Sequence, residues 1–511
     1  MTRQDGALLQ TEYTNDNVLS LRLQYGLLIV VFGVACLGYL RHTSLIYTTG
    51  WLTMIPGDLG DSRFNSVILE HLYQWVTGAT PSLWSPRFFY PFEGVLAFSD
   101  NHFGSGWAYV VFRLLNLPRE EAYLGWFLVG AVLNFWACWW ALRQLGFSVV
   151  GAATGAFVFA FGLPALHKES HAQLIYRFAV PLAFAAWYRF LTLPSGTRLA
   201  QVILFCGLQF LCSIYMGIFL VYLLAALLAV YLAARAGQAF YQRFTTSTAS
   251  SIQDGKATAR VEQGGQLQRQ VEQWQGQAGQ LQSFNKHQLW YVVGALVVLA
   301  LTFLMLRRYQ LVAIDYRFMR PPEELMSMLP RLGSYLLADQ SGLTSWFGRL
   351  VADVPMRHEQ QMFAGLGVWV VALVGLTCAW FFRSTLVKDL GQVVRFSSMA
   401  LLLLVAATLF VKGHSFYLLL AQLPGVGAIR AVSRIALVML LPMAIIVAAG
   451  ADSLIRVGSS LWPSPKTRGQ VVQAVLLLVL IGILTLESLY FQPHHTPMQS
   501  WRARRDKLET L

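Results

Sequence analysis

LAQVILFCGLQFLCSIYMGIFLVYLLAALLAVYLAAR, residues 199–235, carries no charged side chain before Arg235. About 20 apolar residues suffice for a helix to cross ~30 Å of hydrocarbon. The 37 residues here are too many for one crossing, so two spans meet at Ser213-Ile214-Tyr215. The run is also too long and too continuously apolar for a barrel strand, and helices satisfy their own backbone groups in lipid.

Working outward, similar runs lie near 24–41, 122–142, 149–165, 174–192, 289–307, 363–382, 396–411, 433–450 and 470–490. With 199–213 and 215–235 they make about eleven spans. The composition agrees: 56% of 511 residues are hydrophobic and 12% charged, with a mean hydropathy of +0.51. Soluble domains carry roughly 25% charged residues. The first span follows a polar segment with no small-residue cleavage site after it, which reads as an uncleaved anchor. Cys36, Cys138, Cys206, Cys212 and Cys378 lie inside spans without CxxC spacing, so neither a disulfide framework nor a zinc site is expected.

The net charge of +13 comes from Lys and Arg at span ends. Orientation and lipid headgroups account for it, and no nucleic-acid partner is expected. With the N-terminus cytoplasmic, the inner loops hold Arg143, Arg189, Arg198, Arg383, Lys388 and Arg395 with hardly any acid. The opposite side carries mixed charge. Arg502, Arg504, Arg505 and Lys507 fall outside and break the rule. The organisation expected is a transmembrane module over 1–237 with a long outer loop at 43–121, a polar Gln-rich cytoplasmic insertion at 238–287 without stable structure, and a second module over 288–511 with an outer loop at 309–362.

Where charge is scarce, polar clusters stand out. Gly57-Asp58-Leu59-Gly60-Asp61 places two carboxylates three apart between glycines. Phe64, Val67, Ile68, Leu72, Trp75 and Val76 then form one helical stripe, the pattern of an amphipathic helix lying in the membrane surface. Asp61 suits its N-cap, which leaves Asp58 as the stronger reactive candidate. His167-Lys168-Glu169-Ser170-His171-Ala172-Gln173 is a second cluster. His167 and His171 have helical i,i+4 spacing, but Lys168 stands where a zinc protease motif needs Glu. Glu169, His171 and Gln173 are expected to contact substrate. Further outer-edge candidates are Tyr215, Arg317 and Arg320, then His358 and Glu359. Arg430 and Arg434 follow Pro424-Gly425-Val426-Gly427 at the mouth of an apolar helix. They either snorkel to headgroups or offer a fork of donors to phosphate.

In this order the pieces resemble a family. The GD-x-GD loop and surface helix, Phe89-Tyr90-Pro91 with Ser99-Asp100, His171-Ala172-Gln173 with Pro181, and Tyr215-Met216-Gly217 all contribute. So do His358-Glu359 with Phe363-Ala364-Gly365, and Ile429-Arg430 with Ser433-Arg434. Together they look like polytopic bacterial glycosyltransferases of the GT-C fold. The resemblance implies an all-α bundle of about eleven transmembrane helices in a bacterial inner membrane. It also implies a polyprenyl-phosphate sugar donor and a glycan, lipid or protein acceptor, with transfer on the extracytoplasmic face. An acidic residue of loop one would act as base or metal ligand, which maps to Asp58 or Asp61. The sequence has no clear D-x-D or E-x-D pair, so a divalent cation, Mg2+ or Mn2+, stays open as cofactor, with Asp58, Asp61 and His171 as candidate ligands. It also lacks the Trp-Trp-Asp motif of oligosaccharyltransferases, and en bloc transfer to asparagine is not expected.

The mechanism expected has Arg430, Arg434 and Arg317 or Arg320 holding the donor phosphate, while Asp58 takes the proton of an acceptor hydroxyl in one inverting displacement. Two other classes fit parts of the pattern. A flippase or transporter of a lipid-linked glycan would place ionisable groups near the bilayer midplane, whereas here they gather at one edge. A non-enzymatic envelope scaffold leaves the outer clusters unexplained.

Overall fold

The computed structural model describes residues 21–42, 54–252, 286–382 except 319 and 352, 388–461 except 424 and 425, 466–489 and 495–509. In order the elements are α1 (Leu21–His42), β1 (Met54–Pro56), α2 (Asp61–Val76), α3 (Gly106–Leu114), α4 (Arg119–Gln144), α5 (Val149–Phe161), α6 (Ala179–Thr192), α7 (Gly196–Cys212), α8 (Ile214–Ile252) and α9 (Lys286–Asp315). Then come α10 (Pro322–Ser327), α11 (Leu366–Trp380), α12 (Lys388–Thr408), α13 (Ala436–Leu461), α14 (Lys466–Leu489), β2 (His495–Pro497) and α15 (Met498–Glu509).

Among the described residues seven helical stretches are long and apolar enough to cross a membrane, the pattern of a multi-pass membrane protein. The other four expected spans coincide with shorter apolar helices at Arg22–Leu37, Gly196–Cys212, Leu366–Trp380 and Leu478–Ser488. The expected break at Ser213 is present, and α8 starts one residue later. Its cause lies far away in sequence. Asp100 accepts the Ser213 hydroxyl and, at 2.7 Å, the Ile214 amide, so a buried carboxylate caps α8. The domain boundary expected at 237 falls inside α8, which continues to Ile252, and residues 253–285 lie outside the described ones.

α5 and α13 form the centre. α5 and the part of α13 up to Arg456 are predominantly apolar and almost wholly buried. Small residues let backbones approach. A Cβ on Gly155 would sit 2.6 Å from the Ala444 carbonyl oxygen, and one on Gly375 of α11 would sit 2.2 Å from that of Ile446. α9 lies at the periphery with Leu296, Leu299, Phe303 and Leu304 exposed, the surface a lipid-facing helix presents.

α2 covers the expected helix, but its expected apolar stripe is divided: Ile68 is buried together with Leu69. Val67, Trp75 and Val76 are exposed, while Asn65, Glu70 and His71 are buried against the protein. Glu70 accepts from Tyr109 Oη at 2.7 Å and Arg113 Nε at 2.9 Å, which fixes α2 on α3. Antiparallel pairing of Ile55 with Thr496 then brings α15 to the loop-one side. There Arg502 and Arg505 pair with Glu120 and Glu121 of α4. These ion pairs involve Arg502 and Arg505, two of the four basic residues that break the side rule.

Candidate functional site at the loop-one face

Four segments converge: the start of α2, the 167–173 turn, residues 357–361, and residues 429–435 leading into α13. Gly57 makes the first approach possible. It has φ +90°, and a Cβ there would lie 3.1 Å from Ser170 Cα and inside the Ser62 side chain. Ser62 Oγ donates to the Ser170 carbonyl at 3.1 Å, and Asn65 Nδ2 donates to Gln173 Oε1 at 3.0 Å. This short zipper sets Asp61 against His171, with Asp61 Oδ2 2.8 Å from Nδ1.

Behind His171 lies a buried ion cluster. His171 Nε2 is 3.1 Å from Glu359 Oε1 and 3.3 Å from Arg434 Nη2. Arg434 Nη2 donates to Glu359 Oε1 at 2.6 Å, and Lys168 Nζ donates to Glu359 Oε2 at 2.7 Å. Lys168 Nζ also donates to the His358 and Glu359 carbonyls. Side-chain exposure falls along this path from 54% at Asp61 to 17% at His171 and 4% at Glu359. The chain is therefore wet at one end and dry at the other. Burial alone would raise the Glu359 pKa, but the Lys168 ammonium, the His171 hydrogen bond and the Arg434 guanidinium hold it well below the usual carboxylate range. The His171 hydrogen bond, opposed by burial and aided by Arg434 and Arg430, lowers Asp61 as well. A carboxylate that stays ionised while partly open to solvent can accept a proton from a bound hydroxyl.

Beside this cluster is a second, more open one. Glu324 Oε1 accepts from Arg430 Nη1 at 2.9 Å, and Glu324 Oε2 from Arg320 Nη1 at 3.5 Å. Tyr215 joins the two clusters. Its hydroxyl accepts from the Arg430 amide at 3.4 Å, and the Arg434 guanidinium lies 5.3 Å from its ring centroid. The Arg430 hydrogen bond, opposed by burial and aided by Arg320, lowers the Glu324 pKa. The two arginines differ in availability. A partly exposed pair such as Arg430–Glu324 contributes about 0–1 kcal/mol. Removing one partner of a buried pair such as Arg434–Glu359 costs about 3–5 kcal/mol. The Arg430–Glu324 pair is therefore the cheaper of the two to open.

The expected residues divide accordingly. Asp61, His171, Glu359, Arg434, Tyr215, Arg430 and Arg320 are brought together. Gln173 supports them through Asn65. Glu169 is buried. His358 is exposed and contributes its carbonyl to Lys168. Arg317 is exposed with φ +49° just after α9, and no described contact links its side chain to the cluster. The two loop-one aspartates exchange structural duties. Gly60, with no side-chain cap, holds the N-cap position expected of Asp61, while Asp58 Oδ1 accepts the Gly60 amide at 3.0 Å and the Ser62 amide at 3.5 Å. Lys168 and Glu324 are site residues that sequence reasoning misses. Scarcity of charge is their one signal, and Lys168 stands out in the sequence only for the motif it breaks.

The donor set does not fit a divalent cation. Glu359 is already bound by Lys168 and Arg434, and Asp61 by His171. Among the described residues no group of three or more His, Cys, Asp or Glu is arranged to hold a metal ion.

No protein-family model matches the sequence, and neither does any curated protein. Among nine matching chains of solved structures is an archaeal oligosaccharyltransferase, AglB from Archaeoglobus fulgidus, in complex with an inhibitory peptide and a dolichol-phosphate. It aligns at 13% identity and a TM-score of 0.44 over 95% of this chain, which spans 58% of the AglB chain. A likeness of that degree carries neither a family nor an activity across.

Proposed function

We propose that this chain is a membrane glycosyltransferase that moves a sugar from a polyprenyl-phosphate donor to an acceptor hydroxyl at the loop-one face. One observation carries the reading: a solvent-accessible carboxylate, Asp61, lies 2.8 Å from His171 Nδ1, and His171 in turn lies 3.3 Å from Arg434. Asp61 takes the acceptor proton. His171 orients the Asp61 carboxylate, and the buried Glu359–Lys168–Arg434 cluster fixes His171. Arg430 and Arg320 bind the phosphate and stabilise the charge that grows on it as the sugar–phosphate bond breaks. Inversion follows from a single displacement. The basic short loops opposite the site orient this face away from the cytosol, as an eleven-span protein of a bacterial inner membrane requires.

The test is transfer of labelled sugar by purified protein. Asp61→Asn is expected to lower the rate about 10²–10⁴-fold, the range for loss of a well-placed base, while Asp58→Asn stays within a few-fold of wild type. Near-normal activity in Asp61→Asn would remove it from the mechanism.

A further inference from the structure

We propose that Glu324 is a specificity-determining residue of the Arg320–Arg430 site, an internal carboxylate ligand that a phosphate-bearing ligand displaces. The ligand class rests on the glycosyl-transfer reading. A carboxylate and a phosphate present the same edge of two oxygens to a guanidinium, and Glu324 uses one oxygen for each arginine.

The surroundings suit exchange by side-chain rotation alone. Ser327 Oγ donates to the Glu324 carbonyl at 2.7 Å. Arg331 donates to the Met326, Ser327 and Leu329 carbonyls and lies 5.0 Å from the Phe410 ring centroid. These contacts hold the backbone of α10. Tyr215 holds the Arg430 amide independently of Glu324. The backbone around the site therefore keeps its anchors when the carboxylate leaves.

The charge balance has a consequence for selectivity. The displaced carboxylate stays tethered nearby and repels the bound anion; that repulsion is linear in ligand charge, so removing the Glu324 charge strengthens a dianion more than a monoanion. Glu324 thus weakens retention of a phosphate monoester, the species sugar transfer releases, more than that of the diester that enters.

The experiment measures binding of farnesyl phosphate, its methyl diester, farnesol and inorganic phosphate to the full-length protein in detergent, comparing wild type with Glu324→Gln and Glu324→Ala. Both variants are expected to bind the monoester about tenfold tighter and the diester about threefold tighter, with farnesol unchanged. A gain shared by inorganic phosphate identifies the free anion as a ligand too, and one confined to farnesyl phosphate identifies the lipid; either supports exchange at Glu324. Unchanged or weaker monoester binding in both variants, an equal gain for farnesol, or no phosphate binding at all overturns it. Sugar transfer is measured on the same preparations. The predicted gain without transfer by wild type removes the glycosyl-transfer reading alone. Transfer without the gain removes the Glu324 assignment alone.

Discussion

His102 and Asp100 sit two residues apart, both buried, and their protons pull stability in opposite directions. Burial lowers the His102 pKa to about 3. Burial, opposed by the Ser213 and Ile214 hydrogen bonds, raises Asp100 to about 6. A lowered histidine costs stability as pH falls below its unfolded value near 6.5. A raised carboxyl adds stability as pH falls below its folded value. Between pH 6 and 5 the unfolded chain carries the extra histidine proton and the folded chain the extra carboxyl proton, so the two slopes nearly cancel. Asp100→Asn is expected to lose about 1 kcal/mol over that unit and His102→Gln to gain about as much. Unfolding midpoints at the two pH values check this, and parallel slopes would refute it. These partners are not legible in sequence. His102 bonds to Asn65, 37 positions away, and Asp100 to Ser213, 113 away. Asp58 and Asp61 are legible as a pair, but which of them closes the turn on the Gly60 amide and which meets His171 is set by a contact 110 positions away.

At the scale of elements, the apolar spans can be read because hydrophobic length is a local property. Helix contacts cannot, because α5 and α11 both reach α13 through glycines whose partners are distant in sequence. Gly375→Val would drive side-chain atoms into the Ile446 carbonyl, and overpacking of this kind typically costs about 1–3 kcal/mol. At Gly482 of α14 an added methyl group would meet nothing within 4 Å, so Gly482→Ala should add about 0.5–1 kcal/mol through helix propensity. Opposite shifts in melting midpoint are expected, and shifts of the same sign would contradict the packing described. The same locality explains why a helix after Asp61 is foreseeable, whereas the burial of Glu70 against Tyr109 and Arg113 is not.

At the scale of the whole molecule, the pairing of β1 with β2 settles a question of counting. Hydrogen-bonded strands cannot have a bilayer between them, so Pro56 and His495 share a compartment and the intervening chain crosses an even number of times. All seven long apolar helices lie in that interval, and seven is odd. With all seven crossing, and with crossings counted among the described residues, one or all three of the shorter stretches Gly196–Cys212, Leu366–Trp380 and Leu478–Ser488 traverse as well. A membrane-impermeant maleimide should therefore reach Glu93→Cys and Gln499→Cys from one side, and Ser195→Cys only from the other. Two strands of three residues each thereby impose an arithmetic on how the chain threads the bilayer.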